Sequence, residues 1–326
     1  MPNSPVPTVE MLWEDLDPRL TLAERFGFAD ATAAGCWVVD SVRRCWLIED
    51  VTCEHIVLSA SNALAWLATP DGGLLAKWSI APDRFQRLEQ VANLTLWLGA
   101  QGLPVSAPLP SRHGRVQVEL DGSSMGVQRA MPGDLLDTNN LAQVRAAGAT
   151  LARLHLALAE YRAVTSLFED DTGPEALSAR VTTWLDAAGG QVPSSGLTTL
   201  HRMVADAPQE PAAAQVVHGD FRASNILCTG PDVVAVLDLE ETRLDFPIDE
   251  IARSAVLLGT RFRDWGPVSA GVRATFLAGY EAVRPLSPAE RAWWVPLVLW
   301  YSLQLVPEGD DPTGWRAAAY EQIPAL

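Results

Sequence analysis

Three oxygen-bearing side chains are spaced for phosphoryl chemistry within one short stretch of the chain. Asp220 lies in Val217-His218-Gly219-Asp220-Phe221, Asn225 follows five residues later, and Asp238 ends the apolar run 233–237. The pair Ile226-Leu227 and that run flank Thr229-Gly230-Pro231-Asp232, a turn-forming sequence, so they are expected to form a β-hairpin. Asp220 and Asn225 precede the first strand and Asp238 leaves the second, which places all three at one end of the hairpin. Two carboxylates and a carboxamide in a small volume supply hard-oxygen metal ligands and a proton acceptor. That is the apparatus of a base beside a magnesium site.

The elements around this hairpin follow from patterning. Residues 1–10, rich in Pro and polar residues, are expected to be a disordered lead, and 20–28 one short helix. Residues 51–59, 63–68 and 74–78 are expected to be strands of an antiparallel meander, with Ser59-Ala60-Ser61-Asn62 and Pro70-Asp71-Gly72-Gly73 as the turns. Residues 85–99 carry apolar side chains at mostly helical spacing, and Pro104, Pro108 and Pro110 then hold an extended connector. Residues 115–120 and 126–130 make a second strand pair across Asp121-Gly122. The remainder is helical: 139–161 with Leu141, Val144, Leu151, Leu154 and Leu158 along one side, then 174–188 after a loop at 170–174, 197–205, and a tail over 248–320.

Composition narrows the function classes. The chain has 326 residues, enough for more than one core. With 24 Lys plus Arg against 40 Asp plus Glu, its net charge of −16 disfavours nucleic acid and anionic membrane surfaces as partners. The four cysteines, Cys36, Cys45, Cys53 and Cys228, form no Cys-x-x-Cys pair and lack clustered histidines, so reduced thiols are expected and zinc is not. The first residues carry neither a basic nor an apolar leader segment, and no apolar run is long enough to span a bilayer. A cytoplasmic protein is expected.

The motif His-Gly-Asp, four residues, Asn, an apolar pair, then apolar-Asp-apolar-Glu (residues 218–240) resembles the aminoglycoside phosphotransferase and choline kinase superfamily, nearest to its homoserine-kinase-like branch. The resemblance covers residues 51–279, with the specific motifs in 217–252. It implies an α+β, bilobal, protein-kinase-like fold. An antiparallel β-sheet lobe with one helix would span 1–131 and bind nucleotide, and a mostly helical lobe over 132–326 would be catalytic and bind substrate. It also implies ATP and Mg2+ as cofactors. Asp220 would orient the attacking hydroxyl, and Asn225 and Asp238 would hold metal. Lys77, on the apolar strand Leu-Leu-Ala-Lys-Trp, would reach the phosphates and be oriented by Glu89 on the following helix, with Asp83 and Glu54 as alternative partners. Ser59, Ser61 and Asn62 would contact phosphate in place of a glycine-rich loop, and the adenine would lie against Gln128, Arg129, Ala130 and Met131. His218 and His155, the latter in Leu-Ala-Arg-Leu-His, would be scaffold.

The chain departs from the superfamily pattern after the hairpin. Leu239 stands where Phe or Trp is common, and Asp245-Phe246-Pro247-Ile248-Asp249-Glu250-Ile251-Ala252 lacks the usual glycine while placing Glu250 at the acidic position. Arg222, Glu241, Asp245 and Trp265 are the candidates for acceptor contact; most tail tryptophans are expected in the core. An acidic set would suit an amine-bearing acceptor and Arg222 a carboxylate. The expected activity is transfer of the γ-phosphate of ATP to a hydroxyl of a small molecule. An antibiotic of the aminoglycoside or self-resistance type ranks first as acceptor. Homoserine, choline or a sugar follows, and a non-catalytic nucleotide-binding protein is the remaining alternative. A protein kinase is disfavoured, because about ten residues separate Asp238 from the next helix and no Ala-Pro-Glu anchor follows.

Overall fold

A computed structural model describes residues 6–163, 173–190, 192–208 and 213–323. The chain divides into two compact units, Met1–Pro132 and Gly133–Leu326. The loop expected at 170–174 lies mostly outside the described residues.

The first unit is built on a six-stranded sheet in the order β1-β2-β3-β4-β6-β5. The strands are β1 (Thr8–Met11), β2 (Thr52–Leu58), β3 (Asn62–Thr69), β4 (Gly72–Ser79), β5 (Val118–Leu120) and β6 (Ser123–Arg129). Five strands pair antiparallel, whereas β1 runs parallel to β2 with Thr8 opposite His55. This corrects the disordered lead: residues 8–11 form an edge strand. The His55 ring ties it down, with Nδ1 2.6 Å from Thr8 Oγ1 and Nε2 2.9 Å from Glu10 Oε1.

Among the described residues the unit also holds three helices, the two expected over 20–28 and 85–99 and one more. They are α1 (Pro18–Glu24), α2 (Ala31–Trp46) and α3 (Phe85–Ala100). Helix α2 escapes the sequence reading because Gly35, two Cys and three β-branched Val lower its local helix propensity. It nevertheless begins at an Asp30 cap accepting from the Ala33 N–H at 2.8 Å and buries Ala34, Val38, Val42 and Trp46 on one face. That face joins Ile56, Leu58, Leu67, Trp78 and Met125 in one core, which holds β4 rigid.

In the second unit, strands β7 (Asp134–Leu135), β9 (Ile226–Thr229) and β10 (Asp232–Val236) form one small sheet, and β8 (Gln215–Val217) with β11 (Arg243–Asp245) another. Among the described residues, seven helices make up most of the rest: α4 (Leu141–Ala159), α5 (Leu177–Ala187), α6 (Ser194–Asp206), α7 (Pro247–Leu257), α8 (Ala270–Glu281), α9 (Pro288–Gln304) and α10 (Trp315–Gln322). The helical tail is thus interrupted after Leu257 by a loop that brings Trp265 to the surface.

Helices α4 and α8 cross with almost no side chain between them. A Cβ at Gly148 would lie 2.0 Å from the Phe276 carbonyl oxygen, and one at Gly279 2.1 Å from that of Arg145. Each glycine therefore admits the other helix's backbone. Trp293, Trp300 and Trp315 are buried as expected.

Candidate active site

Strand β8 delivers the chain into His218-Gly219-Asp220, and local geometry dictates the residue types there. Gly219 has φ +87°, and a Cβ on it would stand 2.1 Å from the Glu241 carbonyl oxygen, so no larger residue fits. His218 Nε2 donates to the Leu237 carbonyl at 3.0 Å, which leaves Nδ1 to accept the Asp220 N–H at 3.2 Å. The ring pins the Asp220 loop to the end of β10, a structural role.

The Asp220 carboxylate is held from several sides. Asn225 Nδ2 donates to Asp220 Oδ2 at 2.9 Å and to its carbonyl at 2.8 Å. Arg222 Nε donates to Oδ1 at 3.0 Å and Oδ2 at 2.9 Å, and Arg253 Nη1 stands 3.6 Å from Oδ1. With its amide nitrogen committed to Asp220, Asn225 keeps its carboxamide oxygen as the group that could serve as a ligand. Asp238 has φ +58°, the left-handed region that Asp tolerates, and its carboxylate reaches solvent. Two hard oxygens at one hairpin end suit Mg2+, which seldom takes an all-protein cage and completes its shell with waters and phosphate oxygens. Among the described residues no cluster of three or more His, Cys, Asp or Glu could hold a metal ion.

A buried relay braces the loop from behind. Glu250, on α7, accepts the His218 N–H at 3.0 Å and the Gly219 N–H through its two oxygens. It also accepts His155 Nε2 at 2.7 Å, and His155 Nδ1 meets the Tyr280 hydroxyl at 2.8 Å. Burial alone would raise the Glu250 carboxyl; the His155 hydrogen bond, the electrostatic pull of the two neighbouring imidazoles and the Gly219 N–H outweigh it and lower it to about 2. His155, fully buried, is the hydrogen-bonded core histidine its position in an apolar helix face predicts.

Several arginines escaped the sequence reading. Arg253 and Arg243 both donate to the Gly219 carbonyl. Arg243 Nε also pairs with Asp245 Oδ2 at 2.9 Å, and Arg180 Nη2 with Asp245 Oδ1 at 2.6 Å. Asp249 is fully buried, with Oδ2 accepting the Tyr301 hydroxyl at 2.9 Å and lying 3.5 Å from Arg180 Nη1. Burial, reinforced by the neighbouring Asp245 charge, pushes its carboxyl up to about 7 against the pull of Arg180, Tyr301 and Arg243. Arg253 and Arg243 flank motif residues in sequence and carried that much signal; Arg180 carried none.

In the first unit, Lys77 on β4 lies opposite Leu64 and Gly126 and is half-buried. Glu89, on α3, accepts Arg115 Nη2 at 3.0 Å, so the carboxylate expected to orient Lys77 has an arginine partner in this structure. Ser59 closes the turn between β2 and β3: its N–H and hydroxyl donate to the Asn62 carbonyl at 2.9 and 3.0 Å, leaving Ser61 at the turn's apex. Gln128 and Arg129 lie in β6, and the Ala130 N–H donates to the Gly73 carbonyl at 2.9 Å, ahead of Met131. Of the acceptor candidates, Arg222 reaches Asp220, Asp245 is covered by arginines, Glu241 is exposed and Trp265 is partly exposed.

The phosphotransferase enzyme family matches residues 52–294. The chain belongs to that family. Among curated relatives, a homoserine kinase of Methylobacillus flagellatus is 27% identical over 236 residues, covering 70% of each chain. One of Gluconobacter oxydans is 28% identical over 256 residues, covering 74% of this chain and 76% of its own. The fold is also that of a microcompartment-associated aminopropanol kinase (TM-score 0.56, 16% identity, 89% of this chain and 93% of the other). A macrolide 2'-phosphotransferase of Brachybacterium faecium shares it too (TM-score 0.55, 16% identity, 89% and 98%). This phosphotransferase has the protein-kinase-like fold and is an ATP-dependent small-molecule kinase.

Proposed function

We propose that the enzyme transfers the γ-phosphate of ATP to the hydroxyl of a small acceptor that carries a carboxylate, a hydroxy amino acid such as homoserine. The observation that carries this reading is the charge around Asp220. The acidic residues that would bind a cationic acceptor, Asp245 and Asp249, are buried and covered by Arg180 and Arg243. Arg222 and Arg253 meanwhile flank the catalytic carboxylate itself. Curated homoserine kinases are relatives over most of the chain. The antibiotic acceptor ranked first in the sequence reading has weaker support, since the solved antibiotic kinases are alike in fold at 16% identity or below.

In this reading Asp220 accepts the acceptor's hydroxyl hydrogen bond and aims its oxygen; Asn225 keeps the carboxylate in one rotamer. Lys77 holds nucleotide phosphates, Glu89 is its candidate orienting carboxylate, Ser61 and Asn62 offer turn donors beside Ser59, and residues 128–131 meet the adenine. Asn225 and Asp238 would hold Mg2+, which supplies charge neutralisation on the transferred phosphoryl. ADP release measured over a panel of homoserine, choline, hexosamines, aminoglycosides and macrolides tests the assignment. Turnover is expected with the hydroxy amino acid; turnover confined to cationic antibiotics would refute it.

A further inference from the structure

Arg222 has one nitrogen that the structure leaves without a role. Its Nε bridges both oxygens of Asp220 at 3.0 and 2.9 Å. Its guanidinium carbon stands 5.2 Å from the centroid of the Trp265 ring. Its Nη1 is closed off from solvent and has no hydrogen-bond partner. A charged donor left dry is costly, and native structures rarely carry one without a ligand or catalytic reason.

We propose that Arg222 Nη1 anchors the acceptor's carboxylate and that Trp265 is the positioning residue that holds Arg222 for it, an inference that rests on the acceptor class above. The same guanidinium touches the base that receives the acceptor's hydroxyl, so a short hydroxy acid spans from Asp220 to Nη1. The donor has no water to shed, so once a neighbouring side chain gives way to admit the acceptor, a carboxylate gains a charge-assisted bond without a further dehydration cost on the protein side. Trp265 can fix that orientation because its own position is fixed. Its Nε1 donates to the Phe262 carbonyl at 2.6 Å, and its carbonyl accepts Nε1 of the buried Trp315 at the start of α10. With 39% of its surface exposed, Trp265 also keeps this side of the clamp at the protein surface. A lysine could not do the same, since it lacks the planar fork that serves Asp220 and a second oxyanion together.

The decisive quantity is the ratio of kcat/KM for a hydroxy amino acid to that for its carboxamide, measured for wild type, Arg222→Met, Arg222→Lys, Trp265→Ala and Trp265→Phe. Calorimetric binding of the acid and circular dichroism of each variant run alongside. The ratio is expected to collapse by about tenfold or more in Arg222→Met and Arg222→Lys, the scale of one charge-assisted contact. It should fall partly in Trp265→Ala and stay near wild type in Trp265→Phe, with calorimetric affinity for the acid falling in parallel. An unchanged ratio with an equal loss of kcat on both acceptors assigns Arg222 to the phosphoryl group and overturns the anchor, while the acceptor reading stands. If the wild type itself neither binds nor phosphorylates either compound, the acceptor reading fails and the anchor falls with it.

Discussion

The Asp220 carboxylate meets three side chains with different consequences. Asn225 orients it through a neutral donor, Arg222 sets its charge environment, and Arg253 stands further off while fastening the Gly219 carbonyl. Replacing Asp220 by Asn keeps the shape but removes the negative charge and the oxygen able to take a proton. Turnover should then fall by about 10²–10⁴-fold while nucleotide affinity, read by titration with a fluorescent ADP analogue, stays near wild type. A loss of nucleotide affinity instead would move Asp220 out of the catalytic role. At Asp238 the carboxylate-to-amide change should raise the Mg2+ concentration needed for half-maximal rate, because a neutral oxygen binds a hard dication less well. An unaltered magnesium dependence would remove Asp238 from the metal site.

At the scale of elements, the catalytic loop depends on helices that do not touch the reacting atoms. Helix α4 supplies His155, α7 supplies Glu250 and α8 supplies Tyr280, so the relay behind Gly219 requires α4 and α8 to lie close together. Gly148 and Gly279 permit that approach. Gly148→Ala would push a methyl against the Phe276 carbonyl, and a cost of about 1–3 kcal/mol is expected for such overpacking. The expected outcome is a lowered thermal midpoint and, because His155 moves with the helix, a lower kcat. A stable variant with full activity would show that the helices part without disturbing the relay. By contrast, β1 and α2 support the sheet of the first unit and act on chemistry only through the rigidity of β4.

For the molecule as a whole, global and local charge have opposite signs. The net charge is −16, yet arginines gather around Asp220, so the acidity belongs to the remaining surface and does not describe the acceptor site. Two buried carboxyls should mark the stability curve. Glu250 lies near 2 against an ordinary 4.5, so the native state binds fewer protons than the unfolded chain, and its stabilisation is lost as pH falls through 4.5 toward 2. Asp249 lies near 7 against an ordinary 3.8, so the native state holds the extra proton and stability declines as pH rises from about 4 to 7. Denaturant unfolding across pH 3–8 should show Asp249→Asn flattening that decline and Glu250→Gln removing the acid-side loss from a lower overall stability. Unchanged slopes in both variants would mean that other groups control the curve. Mg2+ and a non-hydrolysable ATP analogue should raise the thermal midpoint, and chelation should remove the metal's share.

The kinase class was legible in the chain because the motif that carries the proposed machinery is local. Asp220, Asn225 and Asp238 fall at one end of a single hairpin by spacing alone, and the strand order with Lys77 reads from period-two patterning. A reader of the sequence could therefore name the kinase chemistry and most of the elements that serve it. Edge strand β1 and helix α2 were not legible: the first is four residues long and owes its place to a parallel pairing across the sheet, and the second is rich in residues of low helix propensity. The acceptor site was decided by tertiary structure. Arg180, Arg243 and Arg253 come from α5, β11 and α7, and nothing in their local sequence says that they meet Asp245, Asp249 and Gly219. The same folding turned Asp245 from a candidate amine ligand into a buried counter-ion and left Arg222 beside the Asp220 carboxylate. Local spacing sets which bond is made, and only convergence of distant segments sets what sits beside it.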